Sequence, residues 1–281
     1  MSGRVIHADN LKVLASLPDA SVQLIYIDPP FNTGKVQKRR TLRTVRDASG
    51  DRVGFKGARY RTEGGVARAY SDSFDDYAAF LEPRLTEAWR LLKPEGSLYV
   101  HLDYREAHYV KLQLDRIFGR ECFLNEIIWA YDYGARAKTR WPAKHDTIFF
   151  YCKDPKRYFF SQADVDREPY MAPGLVGPEK AARGKLPTDV WWHTIVPTSG
   201  KEKTGYPTQK PLGILRRIVN ASSKPGDLVL DFFAGSGTTG AVCLELGREF
   251  VLVDSNPQAI AVMRKRFAGS GVKFGKLPRS R

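Results

Sequence analysis

The sequence predicts an α/β fold with a doubly wound, mostly parallel β-sheet. Two observations support this prediction. Short apolar runs typical of buried parallel strands alternate with helical patterns along the 281 residues. One run, Leu228 to Asp231, leads into the glycine pattern Gly235-Ser-Gly-Thr-Thr-Gly240, which opens a helix as ligand-binding turns of such sheets do. We expect a single domain over residues 1–281.

Val22 to Ile27 is predicted to be a buried strand, because it is almost continuously apolar and the following Pro29 and Pro30 prevent its extension. Phe74 to Leu92 has helical spacing, and Pro83 is expected to divide this helix into two pieces. The other expected strands lie at 4–9, 97–103, 127–131, 147–151, 228–231 and 250–253. The other expected helices begin near 10, 106, 211 and 238, and a last helix ends at Arg266.

Two segments interrupt this alternation. Residues 35–70 show little periodicity and are predicted to form a long, basic, mobile loop. Residues 161–205 are rich in Pro, Gly, Lys and Trp, and they are predicted to be an insertion that lies over one edge of the sheet. Both segments are therefore candidates for binding a partner rather than for building the core.

The chain is strongly basic, with 45 Lys and Arg residues against 31 Asp and Glu residues. Residues 35–70 hold 11 basic and 3 acidic residues, and residues 264–281 hold 7 basic and no acidic residues. Because the rest of the chain is nearly neutral, these two segments are suited to neutralising the phosphates of a nucleic acid. A solubilising loop and tail would explain the same charge without a partner.

The composition also excludes several classes of protein. No apolar run approaches the roughly 20 residues that span a bilayer, and the first ten residues lack the apolar core of a signal peptide, so a cytoplasmic protein is expected. Cys122, Cys152 and Cys243 are widely spaced, which predicts neither a disulfide framework nor a metal site. The P-loop pattern GxxxxGK[ST] is absent, which excludes ATP hydrolysis by that route.

The first candidate site is Asp28-Pro29-Pro30-Phe31, at the strand end where open α/β sheets bind ligands. The exocyclic amino group of a nucleobase becomes nucleophilic when acceptors hold both of its hydrogens and its ring is stacked. The Asp28 carboxylate and the Pro29 carbonyl could be these acceptors, and Phe31 could stack on the ring. A turn that merely ends the strand is the simpler alternative.

The second candidate site is the glycine pattern, which is followed by a strand that ends at Asp254. This acid stands about where a carboxylate binds the ribose hydroxyls of a nucleoside. The pattern alone fits any nucleoside cofactor, including the nicotinamide of an oxidoreductase, and also a plain tight turn. An oxidoreductase would leave Asp28 to Phe31 unexplained, and a DNA-binding module without activity would leave both sites unexplained.

Together, these motifs resemble the DNA amino-methyltransferases, which transfer a methyl group from S-adenosylmethionine to adenine N6 or cytosine N4. Because Asp28-Pro-Pro-Phe31 precedes Asp231-Phe-Phe-Ala-Gly-Ser-Gly-Thr-Thr239, the chain resembles the β class of bacterial and archaeal modification methylases. His7-Ala-Asp-Asn10, Leu91 to Val100 and Tyr206-Pro-Thr-Gln-Lys-Pro211 resemble three further blocks in the same order. The resemblance implies a Rossmann-like class I methyltransferase fold with circularly permuted motif order.

The resemblance also implies roles for individual residues. The catalytic residues would be Asp28, Pro29, Pro30 and Phe31. Those that bind S-adenosylmethionine would be Asp9, Asn10, Lys210, Pro211, Asp231, Phe232, Phe233, Ala234, Gly235, Ser236, Gly237, Thr238, Thr239 and Asp254. The expected DNA-binding residues, chosen for charge and aromatic character, are Lys35, Lys38, Arg39, Arg40, Arg43, Trp141 and Lys144. Residues 131–144 and 161–205, where Trp and His residues mix with basic residues, would recognise the target sequence.

The target base expected from the resemblance is adenine in duplex DNA, because cytosine-N4 enzymes usually carry Ser where Asp28 stands. Cytosine N4 is the alternative, and an RNA amino-methyltransferase is a more distant one. Two positions depart from the common pattern: Phe31 replaces a more usual Tyr, and Ser-Asn-Pro follows Asp254. Attack on cytosine C5 is disfavoured, since no Pro precedes a Cys. Related enzymes have a cognate restriction endonuclease or form homodimers, and one chain specifies neither.

Overall fold

The computed structural model describes residues 3–32, 35–49, 52–53, 59–72, 74, 76–132, 137–197 and 200–277. In chain order, the strands are β1 (Gly3–His7), β2 (Val22–Ile27), β3 (Lys35–Arg46), β4 (Arg52–Val53), β5 (Arg59–Asp72), β6 (Leu92–Leu102), β7 (Phe123–Ala130), β8 (His145–Cys152), β9 (Val190–Trp192), β10 (Leu228–Asp231), β11 (Glu249–Asp254) and β12 (Lys273–Gly275). The helices are α1 (Asn10–Leu14), α2 (Tyr77–Leu91), α3 (Ala107–Phe118), α4 (Pro178–Arg183), α5 (Leu212–Ser222), α6 (Thr238–Leu246) and α7 (Pro257–Arg266).

The central sheet has nine strands in the order β12-β1-β11-β10-β2-β6-β8-β7-β9. All neighbours from β12 to β6 are parallel, β8 is antiparallel to β6 and β7, and β9 is parallel to β7. The predicted α/β fold with a mostly parallel sheet is therefore confirmed. Its strand order explains how distant motifs meet, because β10 and β2 are direct neighbours.

Helices cover both faces of this sheet. Leu24 and Tyr26 of β2 belong to an apolar cluster to which α5, α6 and α7 contribute, and this cluster includes Ile218, Val242 and Met263. The alternate β2 residues Ile25 and Ile27 are fully buried on the opposite face, since successive side chains of a strand point to opposite sides. Leu81, Leu85, Val110 and Leu114, from α2 and α3, supply buried apolar side chains outside the cluster.

Residues 32–75 form a second compact unit, and the main unit comprises residues 1–31 and 76–281. In the second unit, β3 and β5 pair antiparallel from Lys35 opposite Asp72 to Arg46 opposite Tyr60, and β4 pairs with the other side of β5. The prediction of a loop over 35–70 was therefore wrong. Backbone hydrogen bonds between distant segments build this sheet, and they do not depend on an apolar face that periodicity could detect.

Two further expectations differ from the structure. Helix α2 is continuous from Tyr77 to Leu91 with Pro83 inside it, so the predicted division into two pieces was wrong. Leu81, Leu85, Ala88 and Leu91 are buried on both sides of the proline, and this packing holds the helix together where a hydrogen bond is lost. Residues 161–205 contain α4 and the edge strand β9, which were not predicted; Trp191 pairs with Trp129 of β7.

Cys122, Cys152 and Cys243 are all buried, with free thiols. Cys122 and Cys152 lie at the β7 start and the β8 end, while Cys243 lies within α6. Across the described residues, no group of three or more His, Cys, Asp and Glu side chains is arranged to hold a metal ion. None of the helices in the same residues has the length and apolar character needed to cross a membrane.

Candidate active site

The candidate site lies at the edge of the sheet where β1, β11, β10 and β2 end. Parallel strands bring their carboxyl ends to one edge, where α/β proteins bind ligands. The residues after these strands are Asp9 and Asn10 after β1, Asp28 after β2, the glycine turn after β10, and the end of β11 at Asp254. The structure therefore brings the two predicted motifs, which are about 200 residues apart in sequence, to one edge.

Asp28 forms an ion pair with Lys210, a residue just before α5. The Lys210 Nζ atom lies 2.5 Å from Asp28 Oδ2, and both side chains are mostly buried, with 8% and 16% of their surfaces exposed. The other oxygen, Asp28 Oδ1, is buried and has no hydrogen-bond partner among the described residues. The site thus contains a fixed carboxylate with one unused acceptor.

Phe31 lies beside this carboxylate. The Lys210 ammonium is 4.9 Å from the centre of the Phe31 ring, and the His101 ring is 6.1 Å away at an interplanar angle of 34°. Pro29 is buried, while Pro30 and Phe31 are half-buried. An aromatic face, a carboxylate and an ammonium group therefore converge directly after β2.

The glycine turn connects β10 to α6. Gly237 caps α6 with φ of +74°, and a Cβ atom there would lie 2.8 Å from Met263 Cγ. At Gly240 a Cβ atom would lie 2.7 Å from Leu252 Cδ1. The pattern thus permits a left-handed residue and close packing of α6 on β11. The Thr238 hydroxyl donates to the Lys210 carbonyl at 3.1 Å, which joins the turn to the Asp28 side of the site.

Asp231, the last residue of β10, is 3% exposed and supports this turn. Its carboxylate accepts hydrogen bonds from the Thr239 hydroxyl at 2.6 Å and from the Phe233 amide at 3.0 Å. Burial raises the pKa of Asp231 to about 7, although both hydrogen bonds oppose this shift. Asp231 therefore positions the turn from inside the protein rather than from its ligand-facing side.

Asp254, which was predicted to bind ribose, already accepts two backbone hydrogen bonds. The Gly235 amide donates to Oδ2 at 2.8 Å and the Asn256 amide donates to Oδ1 at 2.8 Å. Burial raises the pKa of Asp254, and the two amides oppose this shift. Each carboxylate oxygen can accept a second hydrogen bond, so the group can still bind a hydroxyl.

Asn10 links β1 to the glycine turn. Its amide donates to the Phe232 carbonyl at 2.9 Å, and its oxygen accepts from Arg84 Nε at 2.8 Å. Arg84 is buried, lies 3.7 Å from the exposed Asp9 carboxylate and stacks on the Phe80 ring at 3.9 Å. Asn10 therefore orients the backbone beside the site, while Asp9 is the accessible acid.

Two arginines of the site region were missed by the sequence reasoning. Besides Arg84 of α2, Arg266 at the end of α7 donates to the Ser236 carbonyl at 2.8 Å and to Thr238 Oγ1 at 3.1 Å. Burial lowers the pKa of Arg266 to about 10. The sequence around Arg266, a basic helix end, did not indicate a role at the site, because its contact with the glycine turn exists only in the folded protein.

The predicted DNA-binding residues fall into two groups. Lys35, Lys38, Arg39, Arg40 and Arg43 lie on β3 in the second unit, and their side chains are outside the described part of the structure. Trp141 and Lys144 lie just before β8. Because β8 runs antiparallel to β6, it starts at the edge of the sheet that carries the candidate site. Trp141 is 95% exposed, and the Lys144 ammonium donates to the Asp132 carbonyl at 2.8 Å.

Two known proteins are similar to this chain over most of its length. DNA adenine methyltransferase YhdJ of Escherichia coli (strain K12) is 32% identical over 270 residues, covering 93% of this chain and 81% of that protein. Type II methyltransferase M.HpaI of Haemophilus parainfluenzae is 30% identical over 268 residues, covering 95% of this chain and 74% of that protein.

Solved structures share the fold. The PvuII DNA methyltransferase (cytosine-N4-specific) matches with a TM-score of 0.65 at 17% identity, covering 95% of this chain and 86% of that one. The M1.HpyAVI–SAM complex matches with a TM-score of 0.59 at 20% identity, covering 94% and 98%. The sequence model of the N6_N4_Mtase family, described as DNA methylase, matches residues 22–265, a span that includes Asp28, Lys210 and Asp254. The chain belongs to this family of DNA methylases.

Proposed function

We propose that the protein is an S-adenosylmethionine-dependent DNA methyltransferase that methylates the N6 amino group of adenine. The observation that carries this proposal is the buried Asp28 Oδ1 atom, an acceptor without a partner among the described residues, beside the half-buried Phe31 ring. A planar ring bearing an amino group supplies what this pair of groups lacks: a hydrogen-bond donor and a face to stack on.

Adenine is favoured over cytosine by the relatives and by Asp28 itself. YhdJ, at 32% identity, is named a DNA adenine methyltransferase, whereas the cytosine-N4-specific PvuII enzyme is similar at 17% identity, which concerns the fold alone. Cytosine N4 stays the second candidate because its amino group needs the same two acceptors and the same aromatic face.

The residues around the glycine turn suit a nucleoside cofactor carrying an amino acid. Asp254 retains acceptor capacity for ribose hydroxyls, and the accessible Asp9 carboxylate stands at the next strand end. We assign cofactor binding to the turn from Asp231 to Thr239, with Asn10 and Pro211 as neighbours. S-adenosylmethionine would supply an electrophilic methyl group there.

In the proposed reaction, the chain orients the amine. Asp28 Oδ1 and the Pro29 carbonyl accept the two amino hydrogens, which concentrates the nitrogen lone pair that delocalises into the ring. Lys210 holds the other carboxylate oxygen, so Asp28 cannot rotate away from the amine. Phe31 stacks on the ring and fixes its plane. The target nucleotide leaves the duplex, because its amino group cannot reach a recessed site from within the base stack.

Among the described residues, no cysteine is placed to offer a covalent route. The three cysteines are buried, and burial raises the pKa of Cys243, which lies nearest to the glycine turn in sequence. A thiolate that adds to a cytosine ring would need exposure and a low pKa. Direct attack by the oriented amine is therefore the proposed chemistry: the nitrogen would gain the methyl group and release one proton to solvent, with the neutral thioether S-adenosylhomocysteine as the leaving group.

Partners and location complete the proposal. The basic residues of β3 would contact DNA phosphates, and residues 161–205 would read the target sequence. A cytoplasmic protein that works on the nucleoid follows from a DNA substrate. A restriction endonuclease partner and a homodimer stay predictions, with the type II name of M.HpaI favouring the first.

Mass spectrometry of nucleosides tests the proposal. Duplex DNA incubated with S-adenosylmethionine and the protein should acquire N6-methyladenine, and Asp28→Ala should lower the rate by roughly 10²- to 10⁴-fold. Glu245→Ala removes a half-exposed carboxylate that pairs with Arg216 on the surface, and it should leave the rate unchanged. N4-methylcytosine would overturn the choice of base. Product on RNA but not on DNA would overturn the choice of substrate.

A further inference from the structure

Beneath the candidate active site, four side chains form a continuous hydrogen-bonded chain, of which three are buried and Tyr131 is half-buried. The Tyr26 hydroxyl lies 2.8 Å from His101 Nδ1, and His101 Nε2 lies 3.1 Å from Asp146 Oδ2. The Tyr131 hydroxyl donates to Asp146 Oδ1 at 3.0 Å. These residues come from β2, β6, β8 and the residue after β7, so the chain crosses the sheet between non-consecutive strands.

The hydrogen bonds of this chain converge on Asp146 from both sides. Burial opposes ionisation of Asp146, but the His101 hydrogen bond, the charge of Lys210 and the Tyr131 hydrogen bond lower its pKa. The Asp146 carboxylate therefore only accepts. In the neutral form of His101, Nε2 donates to this carboxylate and Nδ1 accepts from the Tyr26 hydroxyl. Burial raises the pKa of Tyr26 strongly, which keeps its phenol protonated as the donor.

This chain contacts the groups that would hold the target base. His101 has no exposed surface, and its ring lies beneath Phe31 with the centres 6.1 Å apart. Tyr26 lies two residues before Asp28 on the same strand and is close enough for the Asp28 charge to help raise its pKa. An apolar residue could fill the space under Phe31, but it would not fix the orientation of its neighbours as a fully satisfied polar chain does.

The His101 ring also contacts Trp129, which is hydrogen-bonded to the segment predicted to recognise DNA. Trp129 packs edge-on against His101 with the ring centres 5.4 Å apart, and its indole N–H donates to the His193 carbonyl at 2.7 Å. His193 also donates its amide to the Ala130 carbonyl at 3.1 Å. The same imidazole thus touches both the base-stacking ring and a residue that anchors 161–205.

We propose that His101 is a positioning residue, which holds the plane of Phe31 and, through Tyr26, the strand end that carries Asp28. This inference rests on the proposed function. Misplacing reacting groups by about 1 Å can cost about a hundredfold in rate. Loss of this hydrogen-bonded chain of side chains should therefore slow methyl transfer. DNA binding, which depends on phosphate contacts elsewhere, should be kept.

The variants are Tyr26→Phe, which removes one hydroxyl, and His101→Gln, which keeps a donor toward Asp146 but loses the ring. The matched control is Tyr99→Phe. Tyr99 is a buried tyrosine on the same sheet face, and its hydroxyl bonds to Ser222 Oγ at 2.8 Å. The Tyr99→Phe variant therefore loses the same kind of hydrogen bond as Tyr26→Phe. Its partner Ser222 belongs to α5 and not to the strand ends that carry the site.

Four measurements test the role: the single-turnover methylation rate, the DNA dissociation constant, the fluorescence of 2-aminopurine at the target position, and the melting temperature. We expect Tyr26→Phe to lower the rate about tenfold and His101→Gln about a hundredfold. The dissociation constant should stay within twofold, and the bound fluorescence should rise as stacking on Phe31 loosens. Tyr99→Phe should change the melting temperature as much as Tyr26→Phe does, with the rate unchanged.

Rates for Tyr26→Phe equal to those of Tyr99→Phe, with unaltered 2-aminopurine emission, would overturn the positioning role even if His101→Gln fails to fold. If the wild-type protein methylates no DNA, the proposed function fails instead, so the two failures are distinguishable.

Discussion

Lys210 and Asp28, 182 residues apart in sequence, form an ion pair in which the ammonium nitrogen lies 2.5 Å from one carboxylate oxygen. The pair connects the strand end of β2 to the start of α5. Since Thr238 of the glycine turn donates to the Lys210 carbonyl, the same lysine links both predicted motifs. The placement of the Asp28 carboxylate and the geometry of the glycine turn therefore depend on a shared residue.

Removing both members of this pair should destabilise the protein by less than the sum of the two single removals. Lys210→Met leaves a mostly buried carboxylate without its cation, and Asp28→Asn leaves a buried ammonium without its anion, each at a cost of about 3 kcal/mol. The double variant should recover at least about 1 kcal/mol relative to the sum of the two single changes. Urea unfolding of the four proteins measures this coupling, and strictly additive effects would contradict it.

Gly237 should tolerate a methyl group less well than another glycine of the same conformation. Gly237 and Gly269 have φ of +74° and +76°, but a Cβ atom meets Met263 at 2.8 Å in the first case and nothing within 4 Å in the second. Gly269→Ala should cost about 1 kcal/mol for backbone strain, and Gly237→Ala roughly 1–3 kcal/mol more for crowding. Equal losses of unfolding free energy would show that crowding is not important.

Asp231 should make stability fall as pH rises toward neutrality. Its folded pKa is about 7, above the roughly 3.9 of an unfolded Asp, so its contribution is present below about pH 4 and is lost as pH passes through 7. Asp231→Asn removes this titration. From pH 5 to pH 8 the wild-type protein should lose roughly 2–3 kcal/mol relative to the variant, as measured by urea unfolding at each pH. A difference in unfolding free energy between the two proteins that does not change with pH would contradict a protonated, buried Asp231.

The β3–β5 hairpin should supply phosphate contacts. Val36 and Ser71 are paired, so residues 37–70 can be replaced by a Gly-Gly turn that joins them. The deletion should weaken DNA binding at least about tenfold at low salt and reduce the salt slope by about 0.9 per lost phosphate contact. A second variant, in which Lys38, Arg39, Arg40 and Arg43 are changed to Gln, separates charge from shape. An unchanged slope in both variants would place the DNA contacts elsewhere.

Sequence reasoning succeeded where one strand or one turn carries its own signal. Val22–Ile27 is apolar at nearly every position because it is buried on both faces, and the glycine pattern after Leu228–Asp231 requires backbone freedom at fixed spacing. Such signals are local. The strand ends then meet because a parallel sheet aligns them, so Asp28 and Asp231 could be assigned to one site without coordinates.

The same reasoning failed where contacts between distant segments decide the structure. The sequence of the strands within residues 35–72 shows no alternation of apolar and polar residues. Nothing in the sequence near Arg46 or Tyr60 indicates that these two residues pair. Arg266 reaches Ser236 across 30 residues, and the Tyr26–His101–Asp146 chain joins three strands. Each of these depends on strand order, which periodicity does not report.

The reactivity of the three buried cysteines can report local opening of the protein. Cys243 lies in the helix that starts at the glycine turn, whereas Cys122 and Cys152 lie at the other end of the sheet. Since every thiol is buried, alkylation must wait for a fluctuation that exposes it. A ligand at the turn would slow modification of Cys243 first, so thiol-exchange rates read at each cysteine would distinguish opening of the cofactor half from global unfolding.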